Sequence, residues 1–218
     1  MRRILNRRKP PTALAIPLVL LLCSWFTLFL AEVKAQEVID NDYFSETRSN
    51  GLLRNVEQYH LSRHMGFWVE FKRGQYAYAL KELQFVLRYF PNHPRALALL
   101  GALARIKKTP SLPIVYYERA IKLYPQRAFT YAQYGDYLID VGNRKVGISL
   151  LEKAIQLDPK LPQAHAWLAK AYQQQGNLEL ARQEAKIAKE LRYKGKVPDQ
   201  SDSLGKSGQG DSSLGLSE

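Results

Sequence analysis

His60 and His64 stand four residues apart in a stretch with helical apolar period, the spacing that lets two imidazoles share one metal ion. Between them lie Leu61, Ser62 and Arg63; no third ligand accompanies the pair, and the guanidinium repels a cation. Two ordinary half-exposed histidines are the better reading, and no metal is expected. Other chemistry is thinner still. No Ser/His/Asp set has a local signature, and the glycines do not gather into a loop that could cradle phosphate. The single cysteine, Cys23, lies in the first apolar run. Disulfides, thiolate catalysis and Cys-ligated metals are thereby removed from the rest of the chain. No catalytic residue, cofactor or small-molecule substrate is expected.

The glycines and prolines mark a repeat instead. ERAIKLYPQ at 118–126 returns as EKAIQLDPK at 152–160, and VLRYFPNHP at 86–94 is a more divergent copy. Pro91, Pro125 and Pro159 fall 34 residues apart, and four frames fit without gaps: 60–93, 94–127, 128–161 and 162–195. Each frame holds two amphipathic helical segments. A turn near position 15 (Gly74, Lys108, Gly142, Gly176) ends the first, because glycine terminates a helix at low steric cost. Small residues recur at position 8 (Gly101, Gly135, Ala169) and position 20 (Ala79, Gly147, Ala181), which lets paired helices come close. Proline at position 32 cannot continue the second helix and forces a break before the next frame.

This pattern resembles the tetratricopeptide repeat family, on Tyr134, Gly135, Leu138, Gly142, Gly147, Ala154 and Pro159 of the third frame and Leu168, Ala169, Tyr172, Gly176, Ala181 and Ala188 of the fourth. The likeness covers residues 60–195. It implies an all-α, right-handed superhelical solenoid of antiparallel helix pairs, with the first helices lining a concave groove and no catalytic chemistry. Two frames depart. The first has bulky Phe67 at position 8 and is expected to be looser or shifted. The second loses its turn glycine and carries Pro110 and Pro113, both expected in the first turn of its second helix. Positions 21 and 28, which face the following hairpin in such stacks, are Leu80 and Leu87, Ile114 and Ile121, Ile148 and Ile155, then Arg182 and Lys189. A charged last face predicts that the array stops at four.

The resemblance also implies a site. Its concave positions hold His64, Trp68 and Phe71 in the first frame, then Arg95, Leu99, Ala102, Arg105 and Ile106. The third frame supplies Phe129, Gln133, Asp136 and Asp140, and the fourth Trp167, Lys170 and Gln174. Apolar anchors rimmed by charge suit a protein or peptide partner. The lysines, arginine and asparagines by which some family members clamp acidic C-termini are absent from the matching places. A membrane-tethered structural subunit of an envelope complex, using its convex face or helix ends, is the alternative to groove binding.

Export is expected from residues 1–35. The start MRRILNRRKPP is basic, 13–31 carries no charge, and Val33 and Ala35 suit a signal peptidase that cuts after Ala35. Nineteen uncharged residues also reach the length of an uncleaved membrane anchor, about 20 residues. Either way the basic end stays cytoplasmic and the body crosses the membrane, periplasmic if the cell is bacterial. Of the 32 Lys/Arg, six lie in residues 1–35, leaving 26 basic and 19 acidic residues beyond. That modest surplus gives no expectation of a nucleic-acid partner. Residues 36–50 read as a polar linker, 51–195 as the four-repeat domain, and the Gly/Ser/Asp-rich 196–218 as a disordered tail. Within the domain, 52–72 reads as one nearly unbroken amphipathic helix.

Overall fold

The computed structural model describes residues 41–198, so the leader and the tail beyond Pro198 lie outside the described residues. The described part is built of helices alone, without a strand. In order they are α1 (Asn50–Val56), α2 (Phe67–Lys72), α3 (Tyr76–Tyr89), α4 (Pro94–Ile106), α5 (Leu112–Leu123), α6 (Ala128–Asp140), α7 (Arg144–Leu157), α8 (Pro162–Gln174) and α9 (Leu178–Glu190). Four helical hairpins result: α2–α3, α4–α5, α6–α7 and α8–α9.

The turns inside the hairpins share one mechanism. Gly74, Gly142 and Gly176 adopt left-handed backbone with φ of +73°, +94° and +80°, and Lys108 takes φ +55° where the second frame lacks glycine. In each turn the next amide reaches back to a carbonyl five residues earlier: Gln75 to Glu70, Thr109 to Ala104, Asn143 to Leu138 and Asn177 to Tyr172, at 2.7–2.9 Å. The lysine thus keeps the geometry of the family turn at a conformational cost of about 1 kcal/mol. Pro91, Pro125 and Pro159 each fall two residues past the end of a second helix. Pro113 sits in the first turn of α5, whereas Pro110 precedes that helix, which starts only at Leu112.

Small residues act where they were expected. A Cβ on Gly135 would lie 2.6 Å from the Gly147 carbonyl oxygen, and a Cβ on Gly147 equally close to that of Gly135. Only two glycines allow α6 and α7 this approach. The first helix α6 touches both α4 and α8 as well as its own partner, while successive second helices barely meet. The first-helix side is therefore the inner side of the stack. One buried cluster runs from Leu53 to Leu138 and a second joins α6, α7 and α8, with α6 contributing to both. Leu87 and Ile148 are buried at the hairpin junctions, while Arg182 and Lys189 are exposed on α9.

The first frame differs from its sequence reading. The helix expected over 52–72 breaks: α1 runs into a π-type turn at Glu57–Leu61, the chain turns through 62–66, and α2 has six residues. His60 pairs with Glu82 at 2.6 Å and stacks on Phe85, while Gly66, at φ +64°, lies against the His60 backbone. The break lets Leu61 and Phe67 both enter the core, which a straight helix through 62–66 would not. Residues 41–49, expected as a linker, form a strap on the array. Asn41 donates through its backbone and side chain to the Tyr89 carbonyl, and the Tyr43 amide donates to Asn92. The Asp42 carboxylate accepts from Asn92 at 2.7 Å and from Arg127 at 2.7 Å.

Candidate functional site

The first helices α4, α6 and α8 each contribute a charge to one cluster on the inner side. Arg105, at the end of α4, donates to Asp140, at the end of α6, across 3.4 Å. Lys170 of α8 reaches the other Asp140 oxygen at 3.3 Å and lies 3.8 Å from Asp136. Three of the four side chains keep 30–45 % of their surface open to solvent. Asp136 is the deeper member. Its Oδ1 is buried without a hydrogen bond, and burial, helped by the neighbouring Asp140 charge, pushes its carboxyl up to about 6. Burial alone would lower Lys170, but the Asp136 and Asp140 carboxylates outweigh that and hold it above its ordinary value.

An aromatic cluster lies beside these charges. Phe129, in the first turn of α6, is eleven residues or about 16 Å of helix from Asp140. Its ring is 6.0 Å from Trp167 of α8 and 5.9 Å from Phe44 of the strap. Tyr193, beyond α9, hydrogen-bonds to Trp167, and burial raises its phenol. The segments flanking the array thus cover the aromatic part of the inner face, while the charged part remains open. Gln133, between the two, donates to the Pro94 carbonyl at 3.0 Å and leaves its own Oε1 buried without a hydrogen bond.

The residues expected to form the groove separate into groups. Arg105, Gln133, Asp136 and Lys170, together with Phe129 and Trp167, share the inner face of α4, α6 and α8. Arg95 is exposed in the first turn of α4. Leu99 is only 1 % exposed and belongs to the core, where Trp68, Phe71 and Tyr43 pack against its cluster. It cannot line a groove. The shortened α2 tucks Trp68 and Phe71 onto that core, and leaves the Trp68 Nε1 buried without a partner. His64 lies in the exposed turn before α2, off any helix. Its spacing from His60 therefore places no metal pair, and among the described residues no three His, Cys, Asp or Glu side chains are grouped to hold a metal.

Asp42, Phe44 and Tyr193 were missed. Phe44 stands in a polar stretch with no period, and Tyr193 follows the last repeat helix, so neither carries a pattern that points inward.

Among the described residues no helix is long and apolar enough to cross a membrane. No curated protein matches the chain. Solved structures of similar fold include MamA from Desulfovibrio magneticus RS-1, 24% identical, covering 58% of this chain and 71% of that one with a TM-score of 0.45. The TPR2B domain of yeast Sti1, in a complex with pHsp70, is 22% identical over 44% of this chain and 78% of that one, at 0.40. YrrB, described as a TPR protein with an unusual peptide-binding site, is 20% identical over 58% and 66%, at 0.44. Family models for the tetratricopeptide repeat match residues 65–128 and 130–161, and one for the TPR repeat matches 148–176. With four hairpins in one 34-residue register, the chain belongs to the tetratricopeptide repeat family.

Proposed function

We propose that this chain is a non-catalytic adaptor that holds an extended segment of a protein partner along its inner face, on the extracytoplasmic side, where it assists assembly of an envelope complex. The family is one of protein-interaction scaffolds. The reading rests on one observation: Arg105, Asp140 and Lys170, from three successive first helices, meet within 3.4 Å on an open surface. Charges paired only for stability at such exposure contribute little, roughly 0–1 kcal/mol each. Their value is in recognition, because an array carrying both signs at a fixed spacing selects a complementary chain and rejects like charge. The rings of Phe129 and Trp167 flank it, covered by Phe44 and Tyr193, so the open charges carry the recognition. The basic, then uncharged, start of the sequence supports the compartment.

Affinity capture from an envelope extract tests this. The protein is expected to retain a discrete partner, and the double variant Arg105→Ala/Lys170→Ala to lose it by about tenfold or more. A control at exposed Lys153 on α7 leaves capture intact. Equal capture by the double variant and the wild type would remove the inner face from the mechanism.

A further inference from the structure

The two ends of the array differ in chemistry. The last helix, α9, shows water Arg182 and Lys189, whereas the first long helix, α3, shows it aromatic rings. Tyr78 is 56 % exposed and Phe85 is 41 % exposed, seven residues apart and so on one face of α3. Tyr89 continues that face with its ring 5.0 Å from Phe85. Tyr59 and Met65, on the turns before α2, are exposed at the same end of the array. Leu80 and Leu87 of α3 point to the second hairpin, so the aromatic face lies on the opposite side, where a preceding hairpin would stack. Among the described residues no hairpin does; the turn Glu57–Leu61 covers part of the face, His60 stacking on Phe85 and pairing with Glu82, and leaves the rings of Tyr78 and Phe85 partly open.

Charge says what could cover it. Residues 50–90 carry Arg54, Arg63, Lys72, Arg73, Lys81 and Arg88 against three acids. Each acid already has a partner: Glu57 with His93 at 3.1 Å, Glu70 with Arg73 at 3.6 Å and Glu82 with His60 at 2.6 Å. Lys81 lies on the aromatic face itself, its Nζ 5.2 Å from the centre of the Tyr78 ring. Exposed aromatic rings interleaved with a surplus of positive charge suit the boundary of an anionic lipid bilayer, where rings settle among headgroups and Lys/Arg attract phosphate. Chain length agrees. Asn41 is held to the Tyr89 carbonyl, at the end of this face. Where the run 13–31 is kept as an anchor, only residues 32–40 separate it from Asn41, and nine residues reach about 30 Å at most.

We propose that the α3 end of the array, with Tyr59, Tyr78, Phe85, Lys81 and Arg88, docks on an anionic membrane surface. It rests on the reading of residues 1–35 as a membrane-directed leader but not on partner capture by the inner face. Every residue of both buried clusters lies between Leu53 and Ala171, and residues Asp40–Glu218 form one unit, so residues 36–218 hold a complete core.

The test is sedimentation of residues 36–218 with phosphatidylglycerol/phosphatidylcholine vesicles and with pure phosphatidylcholine vesicles. Binding is expected to the first alone and to weaken as salt rises. Tyr78→Ser/Phe85→Ser and, separately, Lys81→Glu/Arg88→Glu are each expected to lower partitioning by about tenfold. Arg105→Ala/Lys170→Ala is expected to leave it unchanged, which separates this face from the inner one. No binding to anionic vesicles, or binding that survives both face variants, overturns the proposal. So does a stable dimer that Tyr78→Ser/Phe85→Ser converts to monomer, because a second copy would then cover the face. Should the serine variant fail to fold, the charge-reversal variant, altered only at exposed positions, decides.

Discussion

Asp136 shows how a single side chain can be kept costly on the inner face of the array. Its ordinary value is 3.8 and the folded value is about 6, raised first by burial and then by Asp140. Between those values the folded chain holds a proton that the unfolded chain has lost. Stability therefore falls as pH rises from about 4 to about 6, and the penalty persists at neutral pH. Replacing Asp136 by Asn removes that titration while Asp140 remains to pair Lys170. Urea unfolding at pH 4.5 and 7.5 is expected to show the variant gaining roughly 1–2 kcal/mol on the wild type at the higher pH and little at the lower. Parallel shifts at both pH values would mean that the carboxyl is not strained. This residue was legible in the sequence, since position 9 of a first helix faces inward. Leu99 at position 6 was not, because the broken first frame sends Trp68 and Phe71 toward its core, and no periodicity records a neighbour's shortening.

Among the elements, the strap changes the meaning of the inner face. Asp42 gathers Asn92, Arg127 and the Phe44 amide on one carboxylate, and so fixes Phe44 beside Phe129. Polar contacts to residues far along the chain, at Tyr89, Asn92 and Arg127, hold the segment instead of an apolar period, and such contacts leave no pattern to find in a sequence read alone. The hairpins behave oppositely. Their turns, breaks and close approaches come from Gly, Pro and Ala at fixed positions, and the left-handed Lys108 shows the geometry persisting where the residue is wrong for it. Removing the Asp42 carboxylate with Asp42→Ala leaves Arg127 and the Asn92 amide short of an acceptor, at a cost of about 1–3 kcal/mol. Hydrogen exchange is expected to accelerate at the amides of Asn41 and Tyr43, with α6 to α9 unchanged. Unaltered exchange at those two amides would show that the strap is held by its rings alone.

For the whole molecule, a stack of hairpins is a one-dimensional object, and its two ends decide what it joins. Interior junctions pack aliphatic residues at positions 21 and 28, with Leu87 and Ile148 buried and Leu80, Ile114, Ile121 and Ile155 half-buried; the last presents Arg182 and Lys189 instead. That end was legible because it repeats a register with one change of chemistry. The other end was not, because the first frame had lost half its first helix and with it the register that would have marked the aromatic face of α3. If the charges on α9 are what stops the stack, making them aliphatic restores an interior face that no hairpin among the described residues meets. Arg182→Leu/Lys189→Leu is therefore expected to self-associate, with mass by light scattering rising across a concentration series while helical content stays constant. The uncovered faces of two copies would meet through roughly the contacts that Leu87 and Ile148 make inside the array. A variant that stays monomeric at every concentration would show that the end of α9 is closed by shape instead of by charge.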